Sequence, residues 1–313
     1  MTIEWLAGNR IRGTSAEKPV ASLQSPSVGG WVELARHKLG SDASTIDVSW
    51  TPDKRYYMIL MDYTQTSDFA GLHRLGNSSI DPNNNYHNTQ SSNGGTDSAS
   101  QATYVRLDNG WQSGDKKFVV EYIADLTNKE KLIMNHMARS VTTGAGQAPQ
   151  RSEVVSKWVP STASDTVGKF QMMNGGNYAS GSEVVVLGWD PTDTHTTNFW
   201  EELASVDLTG GAAATLSSGT FTAKKYLWVQ YYTGSIASST RPDLIFNSDT
   251  TSSYANRYNY NGTESVAPSE NSHFAGVSAN TNPFFANFFI INNPANEKLS
   301  IGHGMSRGGS GAG

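Results

Sequence analysis

Residues 128–140 read NKEKLIMNHMARS, and residues 296–309 read NEKLSIGHGMSRGG. Alone, the first stretch suits an amphipathic helix, because Glu130, Lys131, Leu132 and Met134 are good helix formers. The second contains Gly302 and Gly304, each of which weakens a helix by about 0.5–1 kcal/mol relative to alanine. The two stretches are counterparts, since Glu130-Lys131-Leu132 and His136 recur as Glu297-Lys298-Leu299 and His303. Counterparts are expected to share one element type, so both read as strands. That removes the best helix candidate from the chain.

The correspondence extends outward. GWVELARHKL (residues 30–39) is echoed by FWEELASVDL (residues 199–208), with Trp31, Glu33, Leu34, Ala35 and Leu39 matched by Trp200, Glu202, Leu203, Ala204 and Leu208. Lys54-Arg55-Tyr56 is matched by Lys224-Lys225-Tyr226, and Gly95-Thr96-Asp97-Ser98 by Gly262-Thr263-Glu264-Ser265. A steady offset over several blocks marks an internal repeat. Gly144-Ala145-Gly146 lies inside the first copy, whereas its match, Gly311-Ala312-Gly313, closes the sequence. The second copy therefore reads as incomplete. It is expected to continue in a longer polypeptide or to be completed by a donated strand, with the longer polypeptide favoured.

Strand signals dominate. KFVVEYI (residues 117–123) is rich in β-branched and aromatic residues, and residues 56–63 and 226–232 are apolar on both faces, as in a central strand. Further runs occupy 153–159, 169–173 and 183–189. Turn clusters such as Asp81-Pro82-Asn83-Asn84-Asn85 and Asn93-Gly94-Gly95 separate them. The polar stretches 77–101 and 247–272 read as elaborated loops. The expected fold is all-β: two tandem antiparallel β-sandwich or jelly-roll-like domains, the second truncated, behind an extended N-terminal arm. The boundaries are an arm over 1–29, a first repeat over 30–192 and a second over 193–313. Residues 190–198, DPTDTHTTN, read as a short polar linker holding the two in series. Trp31 and Trp200 are expected at equivalent places, as are Tyr56 and Tyr226, and His136 and His303.

Composition narrows the function classes. The 313 residues accommodate two domains. Charged residues make up 16%, against about 25% in average domains, and the surface is accordingly neutral and hydroxyl-rich, which leans toward secreted or virion proteins. A net charge of −5 with scattered Lys and Arg gives no basic field for nucleic acid. The absence of cysteine excludes disulfides and thiolate chemistry. No apolar run of about 18 residues offers a membrane-spanning helix, and a signal peptide is not expected.

Candidate chemistry is sparse. The seven histidines (His37, His73, His87, His136, His195, His273, His303) form no metal-binding spacing. His136 and His303, at matched positions, are expected to fix strands through backbone hydrogen bonds. Asp62, Asp68, Asp108, Glu121, Asp190 and Asp193 are the carboxylates available for a glycosidase pair. Because Glu121 is matched by Phe288, it reads as a solvated strand residue. No catalytic or cofactor-binding residue is assigned. The oxygen-rich turns at Asp81-Pro-Asn-Asn-Asn and Asp190-Pro-Thr-Asp-Thr-His are candidates for calcium, without EF-hand spacing. Tyr86, Trp111, Tyr254, Tyr258 and Tyr260 stand near polar loops and are the candidate aromatics for a ligand or a subunit interface.

Several phrases carry a resemblance: NRIRGTSAEKP, NEKLSIGHGMSR followed by GAG, GAGQAPQRSEVVSKWV, YASGSEVVVLGWDPTDTH, NFWEELASVDLTGG and SSGTFTAKKYLWVQ. Together they span nearly the whole chain, and they resemble tandem-repeat virion structural proteins of marine viruses and tailed phages. The resemblance implies a non-enzymatic structural role on a virus particle, without cofactors. Fibre, tail or surface appendage is the leading expectation, as a homo-oligomer, with a trimer favoured. The arm would contact other virion proteins and the surface a host glycan. A jelly-roll capsid shell or decoration protein, and a secreted carbohydrate-binding module or glycosidase, are the alternatives.

Overall fold

A computed structural model describes residues 30–108, 112–193, 197–208, 210–234, 241–275, 283–294 and 296–306. Among them there is no helix. The first twelve strands are β1 (Val32–Lys38), β2 (Ala43–Ser49), β3 (Tyr56–Thr64), β4 (Leu72–Gly76), β5 (Tyr86–Ser92), β6 (Ser98–Ala102), β7 (Val105–Arg106), β8 (Lys116–Ala124), β9 (Lys131–Ser140), β10 (Gln150–Trp158), β11 (Lys169–Tyr178) and β12 (Glu183–Trp189). They build an eight-stranded sheet, β1-β12-β3-β8-β9-β10-β5-β6, and a four-stranded sheet, β2-β11-β4-β7. All pairings are antiparallel. β1 pairs with β12 and β2 with β11, while β3 pairs with β8 and β4 with β7. A chain whose ends pair first and whose middle pairs inside them is a long hairpin rolled over on itself, the jelly-roll arrangement. The all-β antiparallel expectation holds, and residues 128–140 supply β9, not a helix.

Side chains alternate across each strand. Tyr57, Ile59, Met61, Val119, Ile123, Val184 and Val186 point from the large sheet toward Ile46, Leu75, Phe170 and Met172 of the small one, forming the sandwich core. Between these apolar residues runs an ionic row. On β8 and β9, Lys117 stands opposite Arg139, and Glu121 opposite Asn135, all buried. Glu121 is fully enclosed and pairs with His73 at 2.9 Å, so the expectation of a solvated carboxylate is corrected. A charge survives burial when a partner offsets its desolvation. Here Lys117 meets Asp108 at 2.7 Å, Lys131 meets Asp125 at 2.8 Å, and Arg139 meets Asp115 at 3.1 Å.

The remaining strands are β13 (Tyr226–Thr233), β14 (Asp243–Leu244), β15 (Tyr254–Tyr260), β16 (Thr263–Glu270), β17 (His273–Phe274), β18 (Phe284–Ile291) and β19 (Leu299–Ser306). They form one three-stranded sheet, β13-β18-β19, and the pairs β14-β17 and β15-β16. Their registers copy the first set. Tyr56 faces Ala124 as Tyr226 faces Ile291, and Val120 faces His136 as Asn287 faces His303. The interior chemistry is exchanged, though. Lys117 and Glu121 give way to Phe284 and Phe288 at matching positions. A Cβ on Gly302 would lie 2.2 Å from the Phe288 ring, so the glycine that argues against a helix is the residue that lets Phe288 lie across the strand.

Five strands of the first set have no counterpart among the described residues: β1, β2, β10, β11 and β12. The consequences are local. β1 and β2 depend on β12 and β11 for pairing, and the described residues of 197–225 form no strand, as expected when backbone groups lack a ladder to join. β10 joins β9 to β5, and β15-β16 accordingly stands apart from β19. Trp31 and Trp200 are therefore not equivalent. Trp31 leads directly into a paired strand and Trp200 lies in a strandless segment. Stretches 77–101 and 247–272, expected as loops, supply β5, most of β6, and all of β15 and β16. Residues 1–29, the expected arm, lie outside the described residues.

The second set does not follow the first as a bead on a linker. Its three-stranded sheet lies against the outer face of the eight-stranded sheet, where Met58, Leu60, Phe118, Val120, Val185 and Leu187 pack with Tyr226, Phe289, Ile291 and Leu299. The polar segment after β12 is tied down, with Asp193 bonded to Lys54 at 2.5 Å and Asp190 lying 3.8 Å from Arg55.

Candidate interaction site

The start of β13 is clamped onto β12 and β3. Glu183, buried at the head of β12, accepts hydrogen bonds from Arg36 at 2.8 Å, from the Tyr226 hydroxyl at 2.9 Å and from Lys225. Lys225 also meets Asp62 at 3.0 Å. Burial alone would raise the Glu183 pKa, but Lys225, Arg36 and Tyr226 outweigh it and hold the carboxyl below its ordinary value. Burial and the Glu183 charge push the Tyr226 hydroxyl well above the usual phenol range.

At the other side of the same interface, His136 of β9 meets His303 of β19, ring centroids 4.6 Å apart and nearly perpendicular. The two histidines expected to hold backbone groups thus pack on each other. Burial, then His303, push the His136 pKa down to about 4, against the pull of Glu153. A histidine so depressed binds protons more readily once unfolded. Its contribution is complete above pH 6.5, the ordinary value, and is lost as pH falls toward 4. The expected loss is on the order of 3 kcal/mol, seen as a lower urea midpoint near pH 4 than above pH 6.5. His136→Gln should make that part of the profile shallower, the buried His273, likewise pushed down to about 4, still contributing, and an unchanged slope in the variant would remove the pair as a source.

The sequence-predicted aromatics take different places. Tyr86 is fully buried, which corrects its reading as a ligand residue. Its hydroxyl accepts the Leu75 N–H at 3.0 Å and donates toward the Leu75 and Asp81 carbonyls. Tyr254 does the same with Phe246 and Asp249. Asn88 bonds Tyr104 and Arg106 backbone groups as Asn256 bonds those of Ser272 and Phe274. The pattern Asp-x4-Tyr-x-Asn, at Asp81-Tyr86-Asn88 and Asp249-Tyr254-Asn256, is the sequence signal that could have shown this. Tyr258 packs on Phe274, Tyr260 is exposed, and Trp111 lies outside the described residues.

The calcium candidates are likewise used internally. The Asp81 carboxylate accepts from Asn83, Asn85 and Trp158, and Asp190 accepts from Thr192. Among the described residues no group of three His, Asp or Glu side chains could share a metal ion. Of the glycosidase candidates, Asp108 and Glu121 are enclosed in ion pairs, Asp62 and Asp193 are held by lysines, and Asp68 accepts the Ser113 N–H. These are bonds that fix strands and turns.

Part of the outward-facing surface is apolar. The three-stranded sheet leaves part of the large sheet's outer face uncovered, and a cleft of about 360 Å³ opens there between Trp31, Tyr56, Trp189, Tyr122, Leu132 and Met134. Tyr56 stacks on Trp189 at 5.2 Å. Leu132, Met134 and Val155 remain 59%, 45% and 55% exposed, and Met134 stands directly opposite Val155 on the paired strands. Three large aliphatic side chains thus lie exposed in one strip beside the cleft. Comparison finds no match for this chain among family models, curated proteins or solved structures.

Proposed function

We propose that this chain is a non-enzymatic structural protein of a virus particle, a fibre, tail or surface-appendage component assembled as a homo-oligomer, with a trimer favoured. The observation that carries the assembly reading is the exposed Leu132-Met134-Val155 strip beside an aromatic cleft. Unpaired strand edges add to it, since β13 and β19 end the three-stranded sheet among the described residues and open edges invite association. Placement on a virion, outside the cell, rests on the sequence resemblance. The charged groups of the sandwich interior are engaged in pairs, which supports a structural role for them.

A second reading, a capsid shell or decoration protein, draws support from the nested strand pairing, because jelly rolls recur in viral shells, although they also serve lectins and other functions. The test is sedimentation of the purified chain at micromolar concentration together with imaging of the particle. The proposal expects an oligomer whose interfaces bury more than about 1,000 Å² and density outside the shell. Density within the shell lattice would favour the second reading, and a stable monomer would overturn both.

A further inference from the structure

We propose that Lys117 and Asp108 condense to an intramolecular amide, a covalent cross-link between β8 and the segment that follows β7. This is independent of the assembly reading above. Both side chains are fully enclosed, and the Lys117 ammonium stands 2.7 Å from Asp108 Oδ2. An amine and a carboxylate that react slowly when dilute are thus held at contact distance in a dry site. Such confinement is worth effective molarities of about 10⁵–10⁸ M in well-oriented intramolecular reactions. Condensation also relieves a cost. A buried ion pair bears the desolvation of two charges, and a neutral amide carries neither.

The hydrogen bonds around the pair are those the product needs. Asp108 Oδ1 accepts the Gly71 N–H at 2.9 Å, which marks it as the oxygen that stays and stabilises the charge developing on it during attack. Beyond its contact with Nζ, Oδ2 accepts no hydrogen bond among the described residues, and it is the oxygen that leaves. Lys117 Nζ donates to Gln65 Oε1, and the Gln65 amide is itself oriented by donating to the Phe69 carbonyl at 2.9 Å. The N–H of the new amide keeps that acceptor. The Tyr63 ring lies 5.6 Å from Nζ, and its hydroxyl and Asp108 Oδ2 both lie against Gly71, where a side chain would meet them. Burial, then the Asp108 charge, keeps the phenol protonated, so it supplies a proton donor near the departing oxygen. Burial also draws Lys117 below the ordinary lysine value, against the pull of Asp108, toward the neutral amine that attacks. In the step itself the Nζ lone pair forms a bond to Asp108 Cγ and the Cγ–Oδ2 bond breaks. Of the three ammonium protons, two leave with Oδ2 as water and one remains as the amide N–H. Charge and oxidation state balance without a co-reactant.

Mass spectrometry of the purified full-length chain tests this. The proposal expects a chain lighter than its sequence by one water. It also expects tryptic residues 107–116 to remain joined to residues 117–129, because acylated Lys117 is no longer a cleavage site. Lys117→Arg keeps a cation beside Asp108 but cannot form the amide, and is expected at full mass. A wild-type chain of full mass whose two peptides separate would overturn the proposal. So would a water loss that persists in Lys117→Arg or maps to other residues, such as the enclosed Lys131–Asp125 pair. The peptide readout is made on the wild-type chain, so it decides the matter even where the variant fails to fold.

Discussion

Lys131→Met is expected to destabilise the chain by about 3–5 kcal/mol, because it strands a carboxylate inside the sandwich. The Lys131 ammonium lies 2.8 Å from Asp125, both side chains being fully enclosed, and donates to the Leu126 carbonyl at 2.7 Å. Asp125 in turn accepts the Val167 N–H at 2.8 Å. With the cation gone, the Asp125 charge remains in a low-dielectric interior with a single backbone donor. Removing both charges is a different perturbation, and Lys131→Met with Asp125→Leu is expected to recover much of the loss. Urea unfolding of the three proteins checks this. A cost below about 1 kcal/mol for the single variant would mean the pair is solvated, as surface ion pairs are.

Phe289→Ala is expected to cost about 3–5 kcal/mol and to act mainly on the stacking of the two strand sets. Phe289 is 5% exposed. It stacks on Trp228 at 5.3 Å, and meets Trp200 at 6.0 Å and, across the interface, Tyr122 at 6.5 Å. Truncation leaves a cavity among large rings with little freedom to collapse. Limited proteolysis should then open residues 197–225 and the three-stranded sheet before the sandwich of β1 to β12. Uniform cleavage of both halves would show that the two sets do not separate in this way.

Much of the architecture was legible because the chain could be compared with itself. Gly302 decided the type of both β9 and β19, and the matched positions of Tyr56 with Tyr226 and His136 with His303 follow from offsets in the sequence. The stacking was not read, although its trace was present. β3 is apolar on both faces, which marks a central strand; it also reports a third layer, since Met58 and Leu60 face the second set. The loss of strand structure at Trp200 could not be read from its own neighbourhood, because it depends on partners β11 and β12 far along the chain. The burial of Glu121 is not legible in the sequence, because a phenylalanine at the matched position suggests a tolerant site. The structure shows instead that one strand position can hold a paired charge in one set and an aromatic ring over glycine in the other. Of the candidate site, the aromatic loop residues were named but the cleft was not, for it joins Trp31 and Trp189 to β9 across 158 residues of sequence.

Strands β13 to β19 repeat the arrangement of β3 to β9, and the β13-β18-β19 sheet lies on the outer face of the eight-stranded sheet. Cross-relaxation between selectively labelled aromatic rings tests it most directly. Contacts are expected between Phe118 and Tyr226, whose ring centroids are 6.3 Å apart, and between Tyr122 and Phe289 at 6.5 Å. Observing the Trp228–Phe289 contact within the second sheet while both cross-interface contacts are missing would contradict it.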